Sequence, residues 1–443
     1  MKRVFVLLVL SGSLQAQDTP HPEFREVLRA VSEQRIEQTL RTLVGFGTRH
    51  TLSDTLSATR GIGAARRWVK AEFDRISAAC GGCLEVRFQS GMVQGTPGSR
   101  IPRDVRIVNV LAILRGQHHP DHYLLMTAHL DSRASDALDS LSDAPGASDD
   151  GSGVAAVLEA AWALTQVGGG VAKSIVFAAL SGEEQGLYGG HQLAQMAQDS
   201  NWIIEGVLNN DVIGHRAGMT GEKNEREFRV FSEPTPVNES DSARRARRFT
   251  GGEVDGPSRQ LARYVDKITR RLVPEADAIM IYRLDRVGRG GDHRAFNDRG
   301  YPAVRFTAMH EDYNRQHQDI RVENSISYGD VIEEVSFPYI ATVTRANVAV
   351  LAALALGPPP PENVRVRGAV TPHTVLSWQR VASPRLGRYR IYWRETTEPQ
   401  WKYSVDVGDV ETFTLKNVNI DNYLFGVAAV AHSGEESVTV FAR

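Results

Sequence analysis

The sequence predicts a large α/β unit, a mostly parallel mixed β-sheet flanked by helices, followed by a small all-β sandwich. Three observations carry that expectation. Short apolar runs of strand length alternate with segments of helical period up to about residue 356. Gly357 and four prolines, Pro358 to Pro361, then interrupt the chain. Beyond them the hydrophobic period changes to two.

At the N terminus, Lys2 and Arg3 precede the apolar run Val4 to Leu10, and Ser11 to Ala16 is small and polar. That is the layout of a secretory signal peptide over residues 1–16, cleaved near Ala16, so an exported protein, periplasmic or extracellular, is expected. No cysteine lies near the cut, which leaves a lipoprotein anchor without support. The formal net charge of -2 implies neither nucleic acid nor an anionic membrane as a general partner. The basic run Arg244, Arg245, Arg247 and Arg248 reads as a solvated loop.

Residues 17–356 form the expected large domain. The two cysteines of the chain, Cys80 and Cys83, follow the helical pattern AARRWVKAEFDRIS and precede the strand-like LEVRFQS. That order is the reverse of a thioredoxin-type motif, and in an exported chain a local disulfide is expected. NVLAILRG, YLLMTAHLD, KSIVFAALS, GVLNND and PAVRFTA read as buried strands, and VAAVLEAAWALTQV as a helix. Residues 215–257 are a long polar insertion, suited equally to walling a pocket or to running over the surface. The stretch 331–356 is apolar but interrupted by Glu333, Glu334, Arg345 and Asn347, so it is expected to close the domain as a packed helix, not to span a membrane.

Residues 357–361 read as a semi-rigid linker. In residues 362–443, VRVRGAV, TVLSWQR, RYRIYWRE, KYSVDV, TFTLKNV, YLFGVAAVA and ESVTVFA are about seven short strands, enough for a sandwich. Through Trp378, the strand from Tyr389 to Trp393, and Leu415 ahead of Tyr423, Phe425 and Val427, this tail resembles a fibronectin type III domain. Such a module carries no catalytic group. Spacing, docking to a surface polymer or protein, and stabilising its neighbour are the roles open to it.

The chemistry lies in five separated fragments: His129 in AHLD, Asp149 in PGASDDGSG, Glu184 in SGEEQG, Asp211 in NND and His317 in YNRQH. Individually each has an ordinary explanation, such as a helix cap for the Asp149 region or a hydrogen-bonded core histidine at 129. Their conjunction at predicted strand ends is what points to a two-metal site. Imidazoles mixed with carboxylates suit Zn²⁺, and the extra glutamate beside Glu184 is what a hydrolase requires.

The words LVGFGTRHT, AHLDS, PGASDDGSGVAAVLE, SGEEQGLYGG, NNDVIGH, GDHRAF with YPAVRF, and YNRQHQD resemble the co-catalytic di-zinc aminopeptidases over roughly residues 30–350. That family includes aminopeptidase Y, secreted bacterial leucyl aminopeptidases and, more distantly, glutamate carboxypeptidase. The resemblance implies two Zn²⁺ ions bridged by Asp149, with His129 and Asp211 completing one site and Glu184 and His317 the other. It implies Glu183 as general base and a cis peptide between Asp149 and Asp150. Asp131, two residues from His129, suits the role of accepting the imidazole's second N–H.

The chain departs from the family at three places. No tyrosine shortly precedes Asp292 and His293, leaving Tyr282, Arg286 or Arg289 to stabilise an oxyanion. The motif around His317 is one residue short, and Gln318 replaces a small hydroxyl residue. There is no room before AHLD for a large inserted protease-associated domain, which favours an aminopeptidase acting on peptides. A single-zinc glutaminyl cyclase and a non-catalytic binding protein on the same fold are the competing expectations.

Overall fold

The computed structural model describes residues 22–168 and 170–443; the expected signal peptide lies outside the described residues. Its main sheet is built from β1 (Leu84–Val93), β2 (Val105–Leu114), β3 (His119–His129), β4 (Lys173–Leu180), β5 (Ile203–Asn210), β6 (Glu227–Ser232), β7 (Asp277–Ile281) and β8 (Ala303–Ala308). The strand order is β1-β2-β4-β3-β5-β8-β6-β7. The central strands β4, β3, β5 and β8 run parallel, whereas β1, β2 and β6 join antiparallel neighbours. This is the expected mixed α/β sheet.

Period-two alternation divides each central strand between two cores. Leu124, Met126 and Ala128 of β3, with Ile175, Phe177 and Ala179 of β4, face one core. Tyr123 and Leu125, with Val176, Ala178 and Leu180, face the other. Helices α1 (Pro22–Arg29), α2 (Glu33–Gly45), α3 (Gly61–Ala79) and α4 (Gly153–Leu164) cover the first face. The single turn α5 (Glu183–Gly186) leads into α6 (Tyr188–Asp199), which covers the second. After α7 (Asp241–Thr250), α8 (Pro257–Leu272) returns to the first face and the short α9 (His293–Asn297) to the second.

The ribbon β9 (Arg321–Glu323) and β10 (Ile326–Tyr328) stands apart from the sheet, ahead of α10 (Phe337–Leu356). Among the described residues, α10 is the one helix long and apolar enough to cross a membrane, but its most apolar window is 94% buried. Glu333 and Glu334 precede it and do not interrupt it. Burial against α2, α4 and α8, more than the interrupting charges read from the sequence, makes it a core helix. Cys80 and Cys83, at the end of α3, form a disulfide.

The chain continues through β11 (Glu362–Arg367), β12 (Thr374–Gln379), β13 (Leu386–Glu395), β14 (Tyr403–Asp406), β15 (Thr412–Leu415), β16 (Tyr423–Ala431) and β17 (Val440–Phe441). These strands make a three-stranded sheet, β11-β12-β15, and a four-stranded one, β14-β13-β16-β17. Trp378, Tyr389, Ile391, Phe425 and Val427 fill the space between them. The proline run is no open spacer. Pro358, Pro359 and Pro361 are buried, and the buried Lys173 ammonium at the start of β4 donates to the Pro358 carbonyl at 3.0 Å.

The insertion 215–257 is more structured than its polarity suggests. It supplies β6, then α7, a helix with no buried residue where the sequence suggests a loop, and then a turn against the C-terminal sandwich. A Cβ on Gly252 would meet the Phe441 ring at 2.7 Å, so the turn lies flat on β17. Beside it Asp255 accepts two hydrogen bonds from Arg394 of the sandwich, both at 2.8 Å, and one from Arg263 of α8 at 2.7 Å. All three side chains are 2% exposed or less. A buried charge stripped of its partner destabilises by about 3–5 kcal/mol. Asp255→Ala therefore lowers the free energy of unfolding by that order in chemical denaturation; an unaltered midpoint refutes the role given to this contact.

Candidate metal centre

Parallel strands end their hydrogen-bonding at one edge of the sheet, and loops leaving that edge can converge above it. His129 is the last residue of β3, Glu183 and Glu184 follow β4 after a two-residue turn, and Asp211 follows β5. Asp149 comes from the irregular turn Ala147–Ser152 before α4. The Asp149–Asp150 peptide bond is cis. Gly153 permits the close approach of that turn, because a Cβ there would stand 2.5 Å from the Asp150 carboxylate and 2.8 Å from the Asn210 carbonyl. His317 arrives on the loop before β9, in a left-handed backbone conformation at φ 52°.

The five residues meet as two groups, His129 with Asp149 and Asp211, and Asp149 with Glu184 and His317; within each group the ligand atoms lie within 4.8 Å of one another. Asp149 belongs to both. Its Oδ1 is 3.0 Å from His129 Nε2 and its Oδ2 is 3.0 Å from His317 Nε2. His129 Nε2 is 3.8 Å from Asp211 Oδ1, and His317 Nε2 is 2.9 Å from Glu184 Oε1. That Glu184 oxygen is nevertheless buried without a hydrogen-bond donor, so the pair is gathered about a common point and not bonded to each other. Nitrogen and oxygen donors in two such groups fit zinc.

The electrostatics agree. Burial works against charge on His129, yet Asp149 and Asp211 hold its pKa well above the ordinary imidazole value. His317 is likewise opposed by burial and raised to about 10 by Glu184 and Asp149. Burial, reinforced by Glu184, Asp211 and Asp292, pushes Glu183 well above the usual carboxylate range. These acids lie too close together to be ionised without a compensating positive charge.

Further buried acids hold the backbone that carries this cluster. Asp330 accepts from the amides of Ser148 and Asp149 at 2.8 and 2.7 Å, fixing the turn that presents Asp149. Asp150 accepts from the amides of His129 at 3.1 Å and Gly153 at 3.0 Å. Arg305 of β8 donates to Asp211 Oδ1 at 2.7 Å. The bond from Gly153 to Asp150 is the local helix cap that the sequence suggests, whereas the contacts made by Asp330, by Arg305 and by Asp150 with His129 join residues far apart along the chain through common residue types and are not legible in it.

Asp131 is placed differently from the expectation. The second nitrogen of His129 is 2.9 Å from the backbone carbonyl of Asp131, while the carboxylate stands 4.0 Å away. That carboxylate accepts instead from the Gly182 and Glu184 amides at 2.8 and 3.1 Å and from the Thr51 hydroxyl at 3.1 Å. The free N–H groups of the turn after β4 outcompete the imidazole for it, and the result anchors the Glu183–Glu184 pair. Glu183 itself makes no side-chain hydrogen bond among the described residues. Of the suggested oxyanion groups, Tyr282 donates to the Pro399 carbonyl at the domain junction. Arg286 and Arg289 are both engaged by Glu311, at 3.0 and 2.9 Å.

Residues 109–335 match the profile of Peptidase family M28. A protein named probable zinc metalloprotease in Leptosphaeria maculans is 41% identical over 423 residues, 95% of this chain and 97% of that one. Another so named, from Pyricularia oryzae, is 41% identical over 96% of this chain and 85% of its own. Such coverage leaves no room to omit the C-terminal sandwich. Among solved structures, the Legionella pneumophila LapA aminopeptidase has a TM-score of 0.54 at 18% identity, covering 75% of each chain. A Macrostomum lignano glutaminyl cyclase has 0.51 at 17%, covering 75% of this chain and 94% of its own. With a profile match across half its length and relatives of 41% identity along nearly all of it, the chain belongs to peptidase family M28 and is a zinc metalloprotease.

Proposed function

We propose that this chain is an exported two-zinc aminopeptidase that removes N-terminal residues from peptides. The observation that carries the reading is the Asp149 carboxylate, one oxygen turned to each of two ligand groups, with Glu183 beside both and a member of neither. His129, Asp149 and Asp211 would hold one ion, and Asp149, Glu184 and His317 the other. Bound there, zinc supplies Lewis-acid polarisation of the scissile carbonyl and acidifies an attacking water. Glu183, with a raised proton affinity and no competing hydrogen bond, takes the proton from that water and delivers it to the leaving amine. Asp131 keeps Glu183 and Glu184 in register by accepting from the backbone of their turn.

Export rests on the charged, apolar and small-residue pattern of residues 1–16 and is consistent with the Cys80–Cys83 disulfide. For the C-terminal module we propose a fibronectin type III-like sandwich, on the support of its three- and four-stranded sheets around Trp378 and Tyr389. Its buried contacts with α8 favour a stabilising role. The likeness to a glutaminyl cyclase fold keeps a single-zinc transferase as the second reading. The metal content of the purified protein separates the two.

Glu183→Gln retains the metal content of the parent protein and loses about 10²–10⁴ of kcat, because it removes the proton carrier and no ligand. Equal loss of zinc and activity overturns that role. Chelation abolishes hydrolysis of aminoacyl arylamides, and zinc restores it at two equivalents per chain. Restoration at one equivalent, or turnover of N-terminally blocked peptides alone, contradicts the two-zinc aminopeptidase.

A further inference from the structure

Arginines near the metal centre fall into two kinds. Arg229, Arg286, Arg289 and Arg305 all form ion pairs, the first three with Glu311 and the last with Asp211 and Asp285. On the opposite side, the connection between β1 and β2 brings in Arg100 and Arg103, and α3 presents Arg66. No carboxylate among the described residues forms an ion pair with any of these three. Their hydrogen bonds go to backbone carbonyls: Arg100 Nη1 to Glu184 at 2.7 Å, Arg103 Nη2 to Leu52 at 3.2 Å and Arg66 Nε to Ile62 at 3.2 Å. Arg66 is also held down to about 10, by burial first and then by the neighbouring Arg67, with only Asp131 opposing.

A guanidinium offers five N–H donors in a planar fork, and one bond to a carbonyl leaves most of them unused. Arg100 and Arg103 are exposed, so those donors face solvent. Arg100 touches the main chain of Glu184, the residue whose side chain faces His317 in the second ligand group. The guanidinium is therefore about one side chain away from the metal-facing oxygens. An extended peptide advances ~3.3–3.6 Å per residue, which puts an anion held by Arg100 one or two residues from the scissile carbonyl.

We infer that Arg100 and Arg103 form an anion-binding wall that takes a carboxylate carried one or two residues beyond the scissile bond. The inference rests on the aminopeptidase reading, under which the single residue before that bond bears the ammonium and the leaving portion bears the anion. Free di- and tripeptides carry such a carboxylate at their C termini. Longer chains carry it only as an acidic side chain. The wall thus makes short free peptides the preferred substrate class, and Arg100 a residue that determines specificity.

The test compares kcat/KM on Leu-Ala, its C-terminal amide Leu-Ala-NH₂, Leu-Glu-NH₂ and leucyl p-nitroanilide, using the full-length mature protein. A charge-assisted hydrogen bond of this kind corresponds to about tenfold to a hundredfold in affinity. The free acid is expected to exceed its amide by that factor, mainly through KM, and the preference is expected to collapse towards unity in Arg100→Ala combined with Arg103→Ala. Arg100→Lys, which keeps the charge but not the fork, retains part of it. A high rate on Leu-Glu-NH₂ relative to Leu-Ala-NH₂ supports the wall with a side-chain carboxylate as its ligand. Equal rates on acid and both amides, or a preference that survives the double substitution, overturn the inference while the peptidase reading stands. Failure to cleave any of the four compounds, arylamide included, overturns the aminopeptidase reading itself.

Discussion

The carboxylate of Asp149 sits between two imidazoles, and the whole sheet edge is organised to keep it there. Its turn is irregular, so its orientation cannot come from a helical or strand ladder. It comes from Asp330, which accepts from the amides of Ser148 and Asp149, and from Asp150, which ties the same turn to the end of β3 and the start of α4. Carboxylates serve here as acceptors for backbone N–H groups that no regular structure satisfies. One such turn, held from both sides, decides where the other ligands must arrive.

The same device recurs around the centre. Asp131 receives the amides after β4 and so places Glu183 and Glu184, and Arg305 crosses from β8 to hold Asp211. Each strand end thus delivers its ligand with a second residue fixing the delivery. Residues lodged this way lose little freedom when a cation binds, which is the physical content of a preorganised site. At the junction with the sandwich, Asp255, just before α8, holds Arg394 in a buried pair, and Lys267 of α8 engages Glu436. The C-terminal module is fastened, not tethered.

What the sequence made legible follows from locality. Apolar runs such as KSIVFAALS declare central strands because every residue of such a strand is buried, and β4 is buried throughout. His129, Glu184 and Asp211 could be placed because each lies within a few residues of such a run. The Gly-Pro break and the change to period two marked the sandwich for the same reason. Non-local contacts stayed hidden. Nothing in the residues around Asp330 says that it serves Asp149, some 180 positions earlier. Likewise the polarity of 215–257 gave no sign that β6 enters the sheet, because β6 lies near its edge, between β8 and β7. Asp131 was near enough in sequence to His129 to suggest a contact that the competing amides of residues 182–184 take.

α10 is the last helix before the proline run, yet it lies at the centre of the larger core, against α2, α4 and α8. During vectorial synthesis the earlier segments therefore emerge with their largest apolar surface unmatched, and only the arrival of residues 337–356 completes it. A protein cut short before Phe337 would expose a greasy trough under the ligand-bearing sheet in place of a finished core.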